Sequence, residues 1–258
     1  MKRTIRAGLA DDEQRVADAQ RVRERVFVEE KGLLGHGAAP SGREVDAYDD
    51  LGSTLHFIVH VDGAPAATAR LLRPDPAVAR AIGQPMGIDL AARYDLGALD
   101  VPSVSLAEVS RMCVVPELRG SEVLLALHGV MVDESARAGL THWVAAANTE
   151  TDVLEDATIA YRIAEHQGLL SRAFRAWPRP GASGSGPSVR PFYTPEQRAR
   201  ARAGDLEGLL LPRTLRTFAR LRGRYLGPPI RERGYRVCSL PLVVDLAEVT
   251  RARAAIAA

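Results

Sequence analysis

The chain has 258 residues, 46% hydrophobic and 26% charged, with a formal net charge of +2. That length can bury a full core as one elaborated domain, and that balance excludes a disordered, fibrous or polyanion-coating protein. Cys113 and Cys238 give neither a disulfide framework nor metal-ligand spacing, and the longest apolar run, 123–132, is too short to span a bilayer. Met1-Lys2-Arg3-Thr4 leads into charged residues and not into an apolar segment, so the expected compartment is the cytoplasm. Positive charge is almost all arginine, with Lys2 and Lys31 the two lysines; arginine suits bidentate contacts to carboxylate or phosphate, although an arginine-rich genome would leave the same mark.

Apolar Val16, Ala19, Val22, Val26 and Phe27 recur at helical spacing, which predicts a helix over 11–30 ending at Gly32. At 55–61 the period changes to two, with Phe57, Val59 and Val61 alternating against His56, Ile58 and His60. Asp62-Gly63 then predicts a hairpin turn into a strand over 66–72. The segment 74–103 holds short helical pieces and turn residues and reads as an insertion. A long apolar strand follows over 104–115, then a helix over 121–138 with Ser121 as N-cap and Gly139 beyond its end. A short buried strand at 143–147 precedes a helix over 151–166. Residues 178–195, rich in Pro, Gly and Ser, read as a flexible surface loop in preference to an interdomain linker. The tail supplies a helix near 209–222, strand material at 224–230 and 235–244, and a last helix.

Charged residues interrupting apolar segments are the chemical signal. Arg23 precedes Val26-Phe27, Asp46 and Asp49 flank Ala47-Tyr48, Arg70 sits in a strand of Ala and Leu, and Glu108, Ser110 and Arg111 lie in the central strand. By alternation Glu108, Ser110, Met112 and Val114 are expected on one face, and Val109, Arg111, Cys113 and Val115 on the other. A carboxylate and an arginine inside such a strand need partners, and a partly buried Glu108 has its pKa raised toward that of a base working near neutral pH. Singly, each such residue is more often part of a salt bridge or solvated face. Cys113 reads as a buried small side chain and not an acyl carrier. His56 and His60, four apart in a strand, do not form a metal site. Neither Gly-x-Gly-x-x-Gly nor a Walker A sequence occurs, so no metal and no nucleic acid or nucleotide chemistry is expected.

These residues carry a resemblance. Arg23-Glu-Arg-Val-Phe27, Asp46-Ala-Tyr-Asp49, Arg70 and Glu108-Val-Ser-Arg111 follow the order and spacing of the set shared by acyl-homoserine-lactone synthases and N-acyl amino acid synthases. Arg25-Val-Phe-Val-Glu-Glu-Lys-Gly32, Ser110-Arg-Met-Cys-Val-Val-Pro-Glu-Leu-Arg119, Gly227-Pro-Pro229 and Leu240-Pro-Leu-Val-Val-Asp245 are similar to the ornithine N-acyltransferases of ornithine-lipid synthesis. The resemblance implies an α/β (α+β) GNAT acyltransferase fold, a central mixed, mainly antiparallel sheet flanked by helices. It also implies transfer of a long-chain acyl group from a thioester to the amine of an amino acid or similar small acceptor. Glu108 would be the catalytic base. Arg23, Phe27, Asp46, Asp49, Arg70, Ser110 and Arg111 would meet the acceptor, the two aspartates attracting its cationic group. The donor's pantetheine arm would lie along Val114 and Val115, with its phosphate at Arg119, Gly120 and Ser121 where a helix begins.

The chain departs from the coenzyme A pattern by placing Glu122 and Leu124 where glycine and a small residue usually stand. An acid there opposes a pyrophosphate, so acyl carrier protein is the expected donor and partner, ahead of acyl-coenzyme A, with no tightly bound cofactor. Arg213, Arg216 and Arg220 line one face of the 209–222 helix, opposite Leu211, Leu215, Phe218 and Leu221, and are the expected carrier docking surface. Ala164 stands where many GNAT enzymes have a tyrosine acid, and Tyr161 is not in its register. A lipid product would bring peripheral membrane contact. Two other readings stand beside this one: a synthase of the homoserine-lactone type, and a non-catalytic module that binds acyl carrier protein.

Overall fold

A computed structural model describes residues 3–33 and 42–257; Lys2 lies outside them. Strand β1 (Ile5–Leu9) leads into helix α1 (Glu13–Arg23), capped by Asp12, whose carboxylate accepts from the Arg15 amide at 2.8 Å. The helix expected over 11–30 is two pieces: after Arg23 the backbone widens into a π-helical segment, Glu24–Glu30, and Gly32 follows with φ +53°. Such widenings often mark functional positions. Strands β2 (Thr54–Val61) and β3 (Ala64–Leu72) form the expected hairpin, and Asp62 and Gly63 both take positive φ, 51° and 86°, as a type I′ turn requires.

Between β3 and the central strand run α2 (Pro76–Ile82), α3 (Leu90–Arg93) and β4 (Tyr94–Asp95). Then come β5 (Leu106–Val114), α4 (Val123–Arg137), β6 (His142–Asn148), α5 (Leu154–His166) and β7 (Trp177–Pro178). The chain continues through α6 (Pro195–Arg202), α7 (Arg213–Arg220), β8 (Gly223–Tyr225), β9 (Ile230–Arg231), β10 (Cys238–Asp245) and α8 (Leu246–Ala257). The main sheet runs β1-β2-β3-β5-β6-β10-β8, with β9 also on β10, and β4 and β7 pair separately. Every pairing is antiparallel except β5 with β6.

One face of the sheet packs Val59, Ala67, Val109 and Val114 against Leu127 and Met131 of α4 and Ile159 and Ile163 of α5. The other carries α1 over Ile58, Cys113 and Val115, and beside it the 74–103 segment over Leu72, Leu106 and Val144. Ile88, Leu90, Tyr94 and Leu99 of that segment are almost wholly buried. Each contributes roughly 1.5–3 kcal/mol of burial, which fixes α3 where the site needs it.

Three boundaries differ from expectation for local reasons. Ser121 is not the N-cap of α4: its hydroxyl donates to the Leu118 carbonyl, and Glu122 takes the cap position. Helix α7 starts at Arg213 because Pro212 precedes it with extended ψ. Helix α6 was not anticipated, although Thr194-Pro-Glu-Gln197 is a capping box: the Thr194 hydroxyl accepts from the Gln197 amide at 3.2 Å and the Gln197 side chain from the Thr194 amide at 2.9 Å. In the preceding loop, the Val189 and Arg190 amides donate to the buried Asp152 carboxylate.

Candidate active site

The central strand does not alternate regularly. Arg70 stands opposite Ser110 and Thr68 opposite Cys113, so Arg111 and Met112 together face Ala69, and Arg111 has φ +55°. This β-bulge overturns the expected facing: Arg111 shares a side with Glu108 and Ser110, while Met112 turns with Val109 and Val114 into the main core. A non-glycine residue in the left-handed region costs of order 1–3 kcal/mol, and here ion pairs hold it.

Those ion pairs form a closed cluster. Arg111 donates to Glu44 at 3.0 Å and to Asp46 at 2.6 Å. Arg23 makes a bidentate pair with Asp49 at 2.8 and 2.9 Å and also meets Glu44. Arg70 donates to Ser110 at 3.0 Å, to Asp49 at 2.7 Å and through both terminal nitrogens to Asp46. Burial works against an ionised Asp49, yet Arg23 and Arg70 hold its carboxyl well below the usual carboxylate range. Three guanidinium groups answer three carboxylates. Arg23, Asp49 and Arg70 are sealed beneath the surface and line neither cavity described below, so the structure does not bring them to an acceptor as the sequence suggested; Asp46, Ser110 and Arg111 do reach a cavity wall.

That cavity, about 420 Å³, lies above the bulge. On its floor Glu108, 2% exposed, accepts from the Leu90 amide at 2.8 Å and lies 3.6 Å from Arg93. Arg93 in turn donates to Asp89 at 2.8 Å and Glu232 at 2.6 Å, and Tyr48 donates to Asp89 at 2.7 Å. Burial first, and then the charge of Asp89, push the Glu108 carboxyl up to about 7. Sequence reasoning missed Asp89, Arg93 and Glu232. The acid and base four residues apart in Asp89-Leu-Ala-Ala-Arg93 were a legible helical pair; nothing local marked Glu232.

A second cavity, about 560 Å³, continues from the first, and the two share Phe27, Leu33, Met112, Asn148, Thr214 and Phe218. It opens because β5 and β6 pair only over Leu106–Glu108 against His142–Val144 and then part. Of the residues expected to meet a donor, Val114, Arg119 and Gly120 line this groove; Val115 is buried on the opposite face under α1, and Ser121 lies outside the lining. Arg119 is bound through both terminal nitrogens to Glu30. On α7, Arg213 reaches the groove's edge, whereas Arg216 and Arg220 are exposed and stand outside it. Cys113 touches the groove, but burial pushes its thiol up to about 12, which disfavours a nucleophilic thiolate. Ala164 lies in the core. Among the described residues no cluster of His, Cys, Asp and Glu could hold a metal ion, and no helix is long and apolar enough to cross a membrane.

Comparison with known proteins gives this architecture its class. Residues 22–129 match the family described as "Acetyltransferase (GNAT) domain". The fold is GNAT-like: the chain aligns with the coenzyme A-dependent acyl-homoserine lactone synthase BjaI over 95% of its own length and 84% of the other, at 17% identity and TM-score 0.50. It aligns with FeeM, an N-acyl amino acid synthase from uncultured soil microbes, over 96% and 94%, at 10% identity and TM-score 0.53. By sequence it is similar to two proteins named L-ornithine N(alpha)-acyltransferase: one from Rhodobacter capsulatus, 36% identical over 48% of this chain and 49% of the relative, and one from Agrobacterium fabrum, 34% identical over 45% and 41%. Residues 22–129 thus match a GNAT domain, and part of the chain is similar in sequence to ornithine N-acyltransferases. It spans about half the length of the curated relatives it matches.

Proposed function

We propose that the protein is an N-acyltransferase that moves an acyl group, long-chain in the expected case, from a carrier-protein thioester to the amine of an amino acid. The observation that carries this reading is a pair of joined cavities, the smaller of which has the buried Glu108, with its raised pKa, in its wall. One cavity carries the charged Asp46, Glu108 and Arg111 in a largely apolar wall; the other is a groove of mixed polar and apolar lining opened by the parting of β5 and β6. The names of the similar proteins, and the likeness of their sequences, support the acceptor class.

The neutral amine attacks the thioester carbonyl, forming a C–N bond, and Glu108 takes the amine proton directly or through water. Backbone N–H groups of β5, freed where β6 diverges, hold the oxyanion. Collapse breaks the C–S bond, and the departing thiolate collects a proton. Asp46, Ser110 and Arg111 face the acceptor, whereas Arg23, Asp49 and Arg70 hold the 42–51 loop in place beneath them. Phe27 stands where acceptor and donor meet. The exposed Arg213, Arg216 and Arg220 dock the acidic carrier, which fits a cytoplasmic enzyme, built as one domain with the 74–103 segment inserted, whose product enters a lipid.

The test incubates purified protein with one acyl group on carrier protein and on coenzyme A, together with pooled amino acids, and identifies products by mass. An N-acyl amino acid formed faster from the carrier is expected. Equal rates from both donors would remove the carrier assignment, and no product from any donor would remove the enzyme.

A further inference from the structure

We propose that Lys31, Arg190 and Arg213 form the binding site for the phosphate of the donor's phosphopantetheine arm, an inference that rests on the thioester-donor reading above. The groove is lined by four cations, Lys31, Arg119, Arg190 and Arg213, against two carboxylates, Glu30 and Glu150. They do not cancel evenly. Arg119 and Glu30 are committed to each other as a bidentate pair. Glu150 is engaged with the start of α7, accepting from both the amide and the hydroxyl of Thr214 at 2.6 Å. Among the described residues neither Lys31 nor Arg190 enters an ion pair, and Arg190 is drawn to Lys31 by donating to its carbonyl at 2.5 Å. Arg213 stands at the same rim, exposed.

The alternative phosphate seat, at the start of α4, is poorly supplied. Its arginine is occupied by Glu30, and the acid Glu122 holds the cap position. With four cations against two carboxylates, the groove keeps two positive charges in excess, shared among Lys31, Arg190 and Arg213. Burial, and after it the nearby Arg119, lower the Lys31 pKa, and Glu30 and Glu150 offset this only in part. The apolar remainder of the groove, Val114, Leu118, Leu124, Phe192 and Leu221, suits the pantetheine arm behind that phosphate.

The experiment compares the same acyl group on phosphopantetheine and on pantetheine, which lacks the phosphate, as donors for wild type, Lys31→Met, Arg190→Gln and Arg213→Gln. Titration calorimetry of free phosphopantetheine and pantetheine runs in parallel, and circular dichroism checks each fold. A charge-assisted contact of about 1.5–3 kcal/mol corresponds to roughly 10–100-fold. Wild type is expected to favour the phosphorylated donor in kcat/KM and the phosphorylated ligand in affinity by at least the lower figure. Lys31→Met and Arg190→Gln should each shrink that ratio about 10-fold, and the exposed Arg213→Gln about threefold. An undiminished ratio in folded variants overturns the site, as does wild type binding both ligands equally. If no donor supports turnover, the acyltransferase reading fails, and calorimetry still decides the phosphate site. The same variants are assayed with acyl carrier protein and acyl-coenzyme A, which both bear this phosphate, and losses confined to coenzyme A would assign the cations to its nucleotide and overturn the proposal.

Discussion

Two charge clusters flank the same strand and differ in one respect, their balance. Around the bulge, Arg23, Arg70 and Arg111 answer Glu44, Asp46 and Asp49 one for one. Toward the start of β5, Arg93 stands alone among Asp89, Glu108 and Glu232. The balanced cluster keeps Asp46 and Asp49 ionised and its geometry closed, as a scaffold would. The unbalanced one leaves a carboxyl that titrates near neutrality, and only such a group can exchange a proton within a catalytic cycle.

The clusters also respond to pH with opposite sign. Asp49 has a depressed pKa, so its stabilisation is present above the ordinary carboxylate value and is lost as pH falls below it. Glu108 has a raised one. Its contribution is complete below an ordinary glutamate's pKa and declines as pH rises through about 7, because ionising it then opposes folding.

The sharpest way to break the contrast is Glu108→Gln, expected to lower kcat/KM by about 10²–10⁴-fold with little loss of stability. In wild type kcat/KM should rise with pH through about 7 as Glu108 loses its proton, and the variant's profile should lack that limb. A variant as active as wild type would transfer the base to another group. Arg23→Met tests the scaffold: it leaves Glu44 and Asp49 buried and underneutralised, which costs about 3–5 kcal/mol, read as a lowered denaturation midpoint. Should stability hold while the acceptor KM rises, Arg23 touches substrate after all. The smallest effect is expected outside both clusters. Arg216→Glu with Arg220→Glu should raise KM for acyl carrier protein several-fold, more at low salt, and leave KM for acyl-pantetheine alone; parallel changes for both donors would deny a docking role.

Much of this was legible in the sequence where periodicity or turn chemistry is local: the β2–β3 hairpin follows from Asp62-Gly63, and one of the two covered faces of β2 from Phe57, Val59 and Val61. The charged residues themselves were also visible, because charge in an apolar strand needs a partner. Their assignment to substrate or to one another was not, since that depends on contacts between residues 21 to 67 positions apart. The bulge was hidden for a related reason: strict alternation is the default for a strand, and the extra residue at Arg111 shows itself only against β3. Glu232 reaches Arg93 across 139 residues, and no local pattern announces such a contact.

The scarcity of lysine has a practical consequence. With Lys2 near the chain terminus and Lys31 on the wall of the larger groove, an amine-directed reagent meets just two side-chain targets. Because the Lys31 ammonium surrenders its proton more readily than an exposed lysine, mildly alkaline labelling favours it. A fluorophore or crosslinker placed there would report occupancy of the groove without any engineered cysteine.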